Sequence, residues 1–263
     1  MIVHNWCGNF GRMANQMFQF TAAVGLAEKL GTDWYIFNNQ EWAHSLDLNK
    51  AFKLPNTKWI DKNETMSFPD YHEAHWHYDP RLLTLSSPLK LHGYFQCEKY
   101  FTHCRDTILE EFTFKDDIYL SSVEKKKSLG DKPLCSIHVR RGDYLNLPQY
   151  HPVQGFNYYD AALESVRDRC EDFNIVYLTD DPEWVGHNMI PKYGGTVAKG
   201  SAYEDMCLMS ICDHNIIANS SFSWWGAWLN KNENKVVVSP RNWFGPSGPP
   251  DSSTIHCEGW DVR

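Results

Sequence analysis

The residues best suited to chemistry lie in the run Leu134 to Leu145, LCSIHVRRGDYL, where an apolar stretch rich in β-branched residues ends abruptly in His138, Arg140, Arg141, Gly142 and Asp143. Two adjacent guanidiniums beside a carboxylate suit a phosphate clamp, in which Asp143 orients one arginine and the other meets the ligand's negative charge. Arg-Asp pairs are more often structural, and Arg-Gly-Asp also serves as an adhesion tripeptide. Adhesion needs an exposed loop tip, and a buried strand leading into the motif argues against it. A second polar set, Thr179-Asp180-Asp181-Pro182-Glu183-Trp184, follows the apolar NIVYL. A third, Asn219-Ser220-Ser221, follows NIIA and runs into Phe222 and Ser223. Asp180 or Asp181 suits ribose hydroxyls or a base N–H, while Ser221 and Ser223, at the amino end of the helix opened by Phe222, suit phosphate oxygens. Turns are polar, so one such set means little. Three consecutive strands that bring cations, paired carboxylates and hydroxyls to one sheet edge fit a ligand with base, ribose and diphosphate.

Those edges require parallel strands separated by helices. Leu134 to Val139 suits a central strand, and Gly142 the turn by which the chain leaves the sheet. A helix is expected near Asn157 to Cys170, a strand at Asn174 to Leu178, and a short helix from Pro182. A brief apolar piece at Thr196 to Ala198 precedes a helix near Tyr203 to Cys212. The strand Asn215 to Ala218, a buried helix at Phe222 to Leu229 and a last strand at Lys235 to Ser239 complete this half. In the other half, Ile2 to Trp6 reads as a strand leading into a glycine-containing loop, Cys7 to Gln16. Met13, Met17, Phe20, Val24 and Ala27 form one apolar helical stripe, stopped by Gly31, before the strand Asp33 to Phe37. Gly8, Gly11 and Arg12 occupy the first strand-to-helix turn without forming G-x-G-x-x-G, so no dinucleotide is assigned. That turn can hold phosphate on backbone N–H groups, and Asn15-Gln16 can equally be polar helix-capping residues. From Asn38 to Ser87 periodicity fades. Trp42, Trp59, Trp76 and Tyr78 stand there among polar residues, able to stack on sugars but more often completing a core around loops. Leu89 to Phe95 alternates like a strand and Gln96 to Glu110 carries helical spacing. The charged stretch that follows, with Glu124-Lys125-Lys126-Lys127, reads as a solvated helix end or linker, placing the domain boundary near Gly130.

Composition narrows the classes. The chain has 263 residues, 42% of them hydrophobic, and a net charge of −8. That balance, without an extended Lys/Arg tract, disfavours nucleic acid or an anionic membrane as partner. No export signal and no apolar transmembrane window appear, so a soluble, cytoplasmic, unprocessed protein is expected. The eight cysteines are scattered, without C-x-x-C, and read as reduced and buried. His72, His75 and His77 have spacing that zinc can use, yet their loop-like neighbours make a polar surface segment the better reading. No metal site is assigned.

Four segments together resemble the bacterial and animal α-1,2-fucosyltransferase family: Gly11-Arg12-Met13-Ala14-Asn15-Gln16-Met17-Phe18-Gln19, Gly93-Tyr94-Phe95-Gln96, His138-Val139-Arg140-Arg141-Gly142-Asp143-Tyr144, and Asn215 to Leu229, NIIANSSFSWWGAWL. Where the family usually has Gly-Leu-Gly before Asn-Gln, this chain has Arg12-Met13-Ala14. The resemblance implies an α/β protein of GT-B type: two Rossmann-like domains facing across a cleft, 1–130 on the acceptor side and 131–263 binding GDP-fucose. It points to Arg140, with Arg141 and Asp143, at the diphosphate. It puts His138 and one of Asp180 or Asp181 near guanosine, Ser221, Phe222 and Ser223 near the diphosphate, Asn219 and Ser220 among the donor-binding residues, and Gly11, Asn15 and Gln16 on the acceptor side.

The implied reaction is metal-independent, inverting transfer of L-fucose from GDP-fucose to the 2-hydroxyl of a glycan acceptor, a β-galactoside by family resemblance. No cofactor is expected. No D-x-D occurs, so arginine charge would stand where a divalent ion otherwise carries the diphosphate. Inversion also calls for a base on the acceptor hydroxyl, and among the amino-terminal carboxylates Glu41, Asp47, Asp70 and Asp79 none stands out. Two rivals remain: a carbohydrate-binding protein without transfer activity, suggested by 11 Trp and 13 Tyr, and an enzyme using another nucleotide sugar.

Overall fold

Eleven short strands, two to six residues long, form two parallel sheets in the computed structural model, which describes residues 1–8, 10–38 and 47–263. The first sheet comprises β1 (Ile2–His4), β2 (Trp34–Phe37), β3 (Lys58–Ile60), β4 (Asp70–His72) and β5 (Leu89–His92), in the order β3-β2-β1-β5-β4. The second comprises β6 (Leu134–Val139), β7 (Asn174–Thr179), β8 (Thr196–Val197), β9 (His214–Ile216), β10 (Val237–Ser239) and β11 (Asp261–Val262), in the order β11-β10-β9-β6-β7-β8. The helices are α1 (Met13–Leu30), α2 (Leu48–Ala51), α3 (Arg105–Glu111), α4 (Asp116–Ser128), α5 (Phe156–Arg167), α6 (Pro182–Asn188), α7 (Ile190–Tyr193), α8 (Ala202–Ile211) and α9 (Ser221–Trp228).

Each sheet grows to one side of its first strand and then to the other. After β6 the chain adds β7 and β8 on one side, then returns to add β9 on the other. The first sheet grows from β1 through β2 to β3, then crosses to β4 at the opposite edge and fills the gap beside β1 with β5. The carboxyl ends of β6 and β9, and of β1 and β5, therefore flank the two crevices that such a topology opens. β6 is buried along its whole length. The carboxyl end of this central strand is thus the fixed point from which its polar residues project.

The chain divides into two compact units, Met1–Lys115 with Asp251–Cys257, and Asp116–Pro250 with Glu258–Arg263. The division falls before α4 rather than near Gly130, because the basic run Glu124 to Lys127 is the end of a helix that packs within the second unit. Ser121 Oγ donates to Glu204 at 2.6 Å, Ser122 Oγ to the Glu204 carbonyl at 3.1 Å, and Lys126 Nζ to the Ile211 carbonyl at 2.7 Å, which fastens α4 to α8. The expected helix Gln96 to Glu110 also differs: two 3₁₀ turns, Glu98–Tyr100 and Thr102–Cys104, precede α3. The strand β5 stops at His92, since Gly93 (φ +153°) and Phe95 (φ +51°) turn the chain away. In the stretch without periodicity lie β3 and β4, both mostly exposed and too short to display a pattern.

All eight cysteines are free thiols, and all but Cys170 are buried. Among the described residues no helix is long and apolar enough to cross a membrane.

Candidate functional site

The carboxyl end of β6 delivers Arg140 and Arg141 onto two different supports. Arg140 Nη2 meets Asp143 at 2.6 Å and its Nη1 meets Asp180 at 3.0 Å, with the guanidinium 5.2 Å from the centre of the Tyr144 ring. Arg141 turns the other way: Nε donates to Asp181 at 3.0 Å and the guanidinium lies 4.0 Å over Trp184. The two carboxylates after β7 are therefore divided, Asp180 bridging Arg140 Nη1 and the Arg141 backbone N–H (2.9 Å), Asp181 holding the Arg141 side chain. Partial burial opposes the charged form of Asp181, but the bonds from Arg141 and the Trp184 N–H outweigh it and hold its pKa below the usual value. Asp181 also caps α6. Gly142 leaves room for this arrangement: a Cβ there would fall 2.6 Å from Asp180 Oδ2 and push the carboxylate off its partners.

An enclosed donor in this cluster has no protein acceptor. Arg140 Nε is enclosed and makes no hydrogen bond. A buried donor left unmatched costs stability, so its persistence beside a switch point fits an oxygen supplied by a ligand.

The β9 side is tied to β6 from below. His138 Nδ1 and Ser223 Oγ are 2.9 Å apart, and Ser223 Oγ also lies 3.3 Å from the Ala218 and Ser220 carbonyls. Burial, assisted by Arg140, pushes the His138 pKa down to about 3, so the imidazole is neutral. Phe222 lies against it, ring centres 5.5 Å apart. Ser220 caps α9 and Ser221 opens it. Asn219 has both ends of its amide occupied: Nδ2 donates to the Pro152 and Trp243 carbonyls, each at 3.0 Å, and Oδ1 accepts from Gln154 Nε2 at 3.0 Å. Its backbone carbonyl accepts from Tyr144 Oη at 3.0 Å. The structure thus gathers His138, Arg140, Arg141, Asp143, Asp180, Asp181 and the 219–223 turn at one switch point, with Asn219 spent on bracing loops.

In the first unit, Gly11 adopts φ +81° and lies so close to Asn15 that a Cβ would sit 2.6 Å from Asn15 Cβ. Asn15 Oδ1 accepts from Gln96 Nε2 at 3.0 Å, which joins the loop after β1 to the segment after β5. Gln16 is fully buried: Nε2 donates to the Gly11 carbonyl and Oε1 accepts from the Asp47 N–H. It shapes the turn from within. The three histidines expected in a loop part company: His72 ends β4 and stacks on His92 (4.3 Å), while His75 and His77, beyond the strand, pair with each other (3.9 Å). Glu41 and Trp42 lie outside the described residues.

Sequence reasoning missed three contributors. Trp184 and Tyr144 were visible beside the motifs, but nothing in their spacing says that they lie under the two guanidiniums. Glu73, whose carboxylate accepts the N–H groups of Tyr94 (2.7 Å) and Phe95 (2.9 Å), falls where periodicity fails.

The chain is 35% identical over 181 residues to the O-antigen biosynthesis glycosyltransferase WbnK of Escherichia coli, a match covering 65% of this chain and 59% of that one. It is 28% identical over 264 residues to an α-1,2-colitosyltransferase of Escherichia coli, covering 89% of this chain and 90% of that one. It is 30% identical over 237 residues to galactoside α-(1,2)-fucosyltransferase 1 of Ateles belzebuth, covering 83% of this chain and 63% of that one. The chain therefore spans less than two thirds of the length of two of these relatives. Among solved structures, fucosyltransferase NodZ from Bradyrhizobium superposes with a TM-score of 0.56 at 13% identity over 86% of this chain and 92% of that one. POFUT1 in complex with GDP-fucose gives 0.55 at 9% identity over 90% and 97%. These likenesses show the fold, two Rossmann-like domains of GT-B type. The model of glycosyl transferase family 11 matches residues 7–247, a span that takes in both switch points and all four segments of the motif resemblance, and the chain belongs to that family.

Proposed function

We propose that the protein transfers L-fucose from GDP-β-L-fucose to the 2-hydroxyl of a β-galactoside in a glycan acceptor, with inversion at the fucose anomeric carbon. The observation that carries this reading is the enclosed, unmatched Nε of Arg140, on a guanidinium already oriented by Asp143 and Asp180. As the bond between fucose C1 and the diphosphate oxygen breaks, negative charge gathers on departing GDP. A fixed cation with a donor in reserve favours that state over the ground state. Arg141, stacked on Trp184, adds positive charge without moving. His138, neutral and fixed by Ser223, offers its remaining ring nitrogen to the nucleoside, and Asp180 or Asp181 serves the guanine or ribose. Ser220, Ser221, Phe222 and Ser223 present the amino end of α9 to the diphosphate, while Asn219 acts through the loops it braces. Arginine charge takes the part that a divalent ion plays where D-x-D is present. The first unit receives the acceptor, with Gly11, Asn15 and Gln16 shaping its β1 loop.

A colitosyl donor is the second reading, favoured by the relative that this chain covers almost completely. A donor panel of GDP-fucose, a colitosyl donor, GDP-mannose and UDP-galactose, with GDP or UDP release as readout, separates the two. The fucosyl reading requires GDP-fucose to give the highest kcat/KM. Preference for the colitosyl donor selects the second reading, and binding of glycan without any nucleotide release would make the protein a lectin.

A further inference from the structure

The segment after β4 carries a carboxylate held in an unusual cradle. Glu73 follows the last residue of β4 and reaches across to the chain leaving β5, where Oε2 accepts the Tyr94 N–H at 2.7 Å and Oε1 the Phe95 N–H at 2.9 Å. The backbone that aims these donors is strained. Gly93 has φ +153° and so little room that a Cβ would fall 2.4 Å from Glu73 Cβ. Phe95, which is not glycine, sits at φ +51°, a left-handed conformation that buried packing against His4 and Tyr100 enforces, each edge-on at 5.6 Å. Such strain persists where surroundings over-determine it, and it concentrates at functional sites.

Beside the cradle stand aromatic faces. Trp76 and Tyr94 stack at 5.4 Å with 12° between their planes, and Trp6 meets Tyr94 edge-on at 5.6 Å. All three rings are partly open to solvent, as is Glu73. An aromatic surface next to a carboxylate suits a pyranose: the ring carries the C–H face and the acid meets a hydroxyl. Among the described residues no lysine, arginine or histidine forms an ion pair with Glu73. Burial pushes its pKa up to about 7, although the two N–H donors pull the other way. The titratable groups that face it are Tyr71 of β4 and Tyr100 of the Glu98–Tyr100 turn, both phenols raised by burial and therefore neutral. Behind them lies Asp79, held down to about 2 by Arg81 and so charged throughout. Histidines also stand in this neighbourhood: His72 stacked on His92, whose pKa burial lowers, and His75 paired with His77 beside Trp76. A pH limb therefore belongs to Glu73 only where Glu73→Gln removes it.

We propose that Glu73 is the general base that takes the proton of the acceptor hydroxyl, with Trp76 and Tyr94 carrying the acceptor sugar beside it. The step rests on the transfer reading above. The C1–O bond to the diphosphate breaks and its electron pair leaves with GDP, the acceptor oxygen bonds to C1, and its proton passes to the Glu73 carboxylate, which returns it to solvent between turnovers. A purely structural clamp needs only an acceptor for two N–H groups and predicts no link between charge and rate.

The test is the pH dependence of kcat for wild type and Glu73→Gln, with GDP affinity followed by calorimetry. Wild-type kcat is expected to rise with pH through about 7, and Glu73→Gln to lose at least about a hundredfold in kcat and the pH limb with it, while GDP affinity is unchanged. A wild-type kcat flat from about pH 6 to 8 overturns the assignment whether or not the variant folds, as does a folded variant within about threefold of wild type. Absence of any transfer from GDP-fucose by wild type would instead sink the transfer reading itself, and the base with it.

Discussion

Arg140 is oriented through both Nη nitrogens, and its enclosed Nε has no protein partner and is left for a ligand. Arg140→Ala is expected to cost roughly 3 kcal/mol of transition-state stabilisation, on the order of a hundredfold in kcat, with a melting temperature close to wild type. Near-normal turnover by the folded variant would remove Arg140 from the mechanism. Gly142→Ala acts one step back: its Cβ would meet the Asp180 carboxylate at 2.6 Å, so Asp180 must release Arg140 or the Arg141 N–H. Weaker GDP binding with little change in urea midpoint is the expected result by calorimetry and denaturation. His138 makes its contribution to pH dependence through folding. Its pKa is about 3 in the folded state and near 6.5 when unfolded, so between those values the unfolded chain binds the extra proton. The corresponding stability is fully present above about 6.5 and is lost as pH falls toward 3. The urea midpoint of His138→Asn should therefore fall less between pH 7.5 and pH 5 than that of wild type; equal falls would show that His138 is not buried and neutral.

At the scale of elements, what could be read from the sequence was whatever repeats or breaks a pattern. β6 shows itself as an apolar run that stops at charge, and α9 as a run of aromatic and small residues after a polar turn. The α1 stripe Met13, Met17, Phe20, Val24 and Ala27 was legible too, but α1 is buried on nearly all sides, Gln16, Gln19 and Thr21 included, so the stripe understated its packing. β3 and β4 were illegible because three-residue exposed strands have no periodicity to display. The run Glu124 to Lys127 is the helix end that the sequence offered as one of two readings, but the docking of α4 on α8 was hidden because two serines and a lysine make its hydrogen bonds. The same limit applies to the site: Arg140, Arg141 and Asp143 are adjacent in sequence, whereas the pairing of Asp180 and Asp181 with different arginines depends on how β6 and β7 align. Close packing makes α1 sensitive. A Cβ on Gly25 would fall 2.1 Å from the Tyr100 carbonyl oxygen. Gly25→Ala should lower stability by about 1–3 kcal/mol in urea denaturation, and an unchanged midpoint would mean that helix and turn are not in contact.

For the whole molecule, a net charge of −8 means that an anionic donor is attracted by local cations rather than by the global field. Raising ionic strength should weaken GDP binding only modestly, since Arg140 and Arg141 are partly buried and fixed. Chelation with EDTA is expected to leave transfer unchanged, and a loss restored by a divalent ion would contradict the role given to Arg140. Both sheets present chemistry at a switch point, the second with cations and carboxylates, the first with Glu73, Asn15 and aromatic rings. The central claim is that the Arg140 site moves a fucosyl group from GDP onto a specific hydroxyl, and the most direct measurement is NMR of the product formed from GDP-fucose and a β-galactoside acceptor. An α-1,2-linked fucoside, formed with one GDP per linkage and lost in Arg140→Ala, is the predicted result. A different linkage, or no product while GDP-fucose is bound, would contradict it.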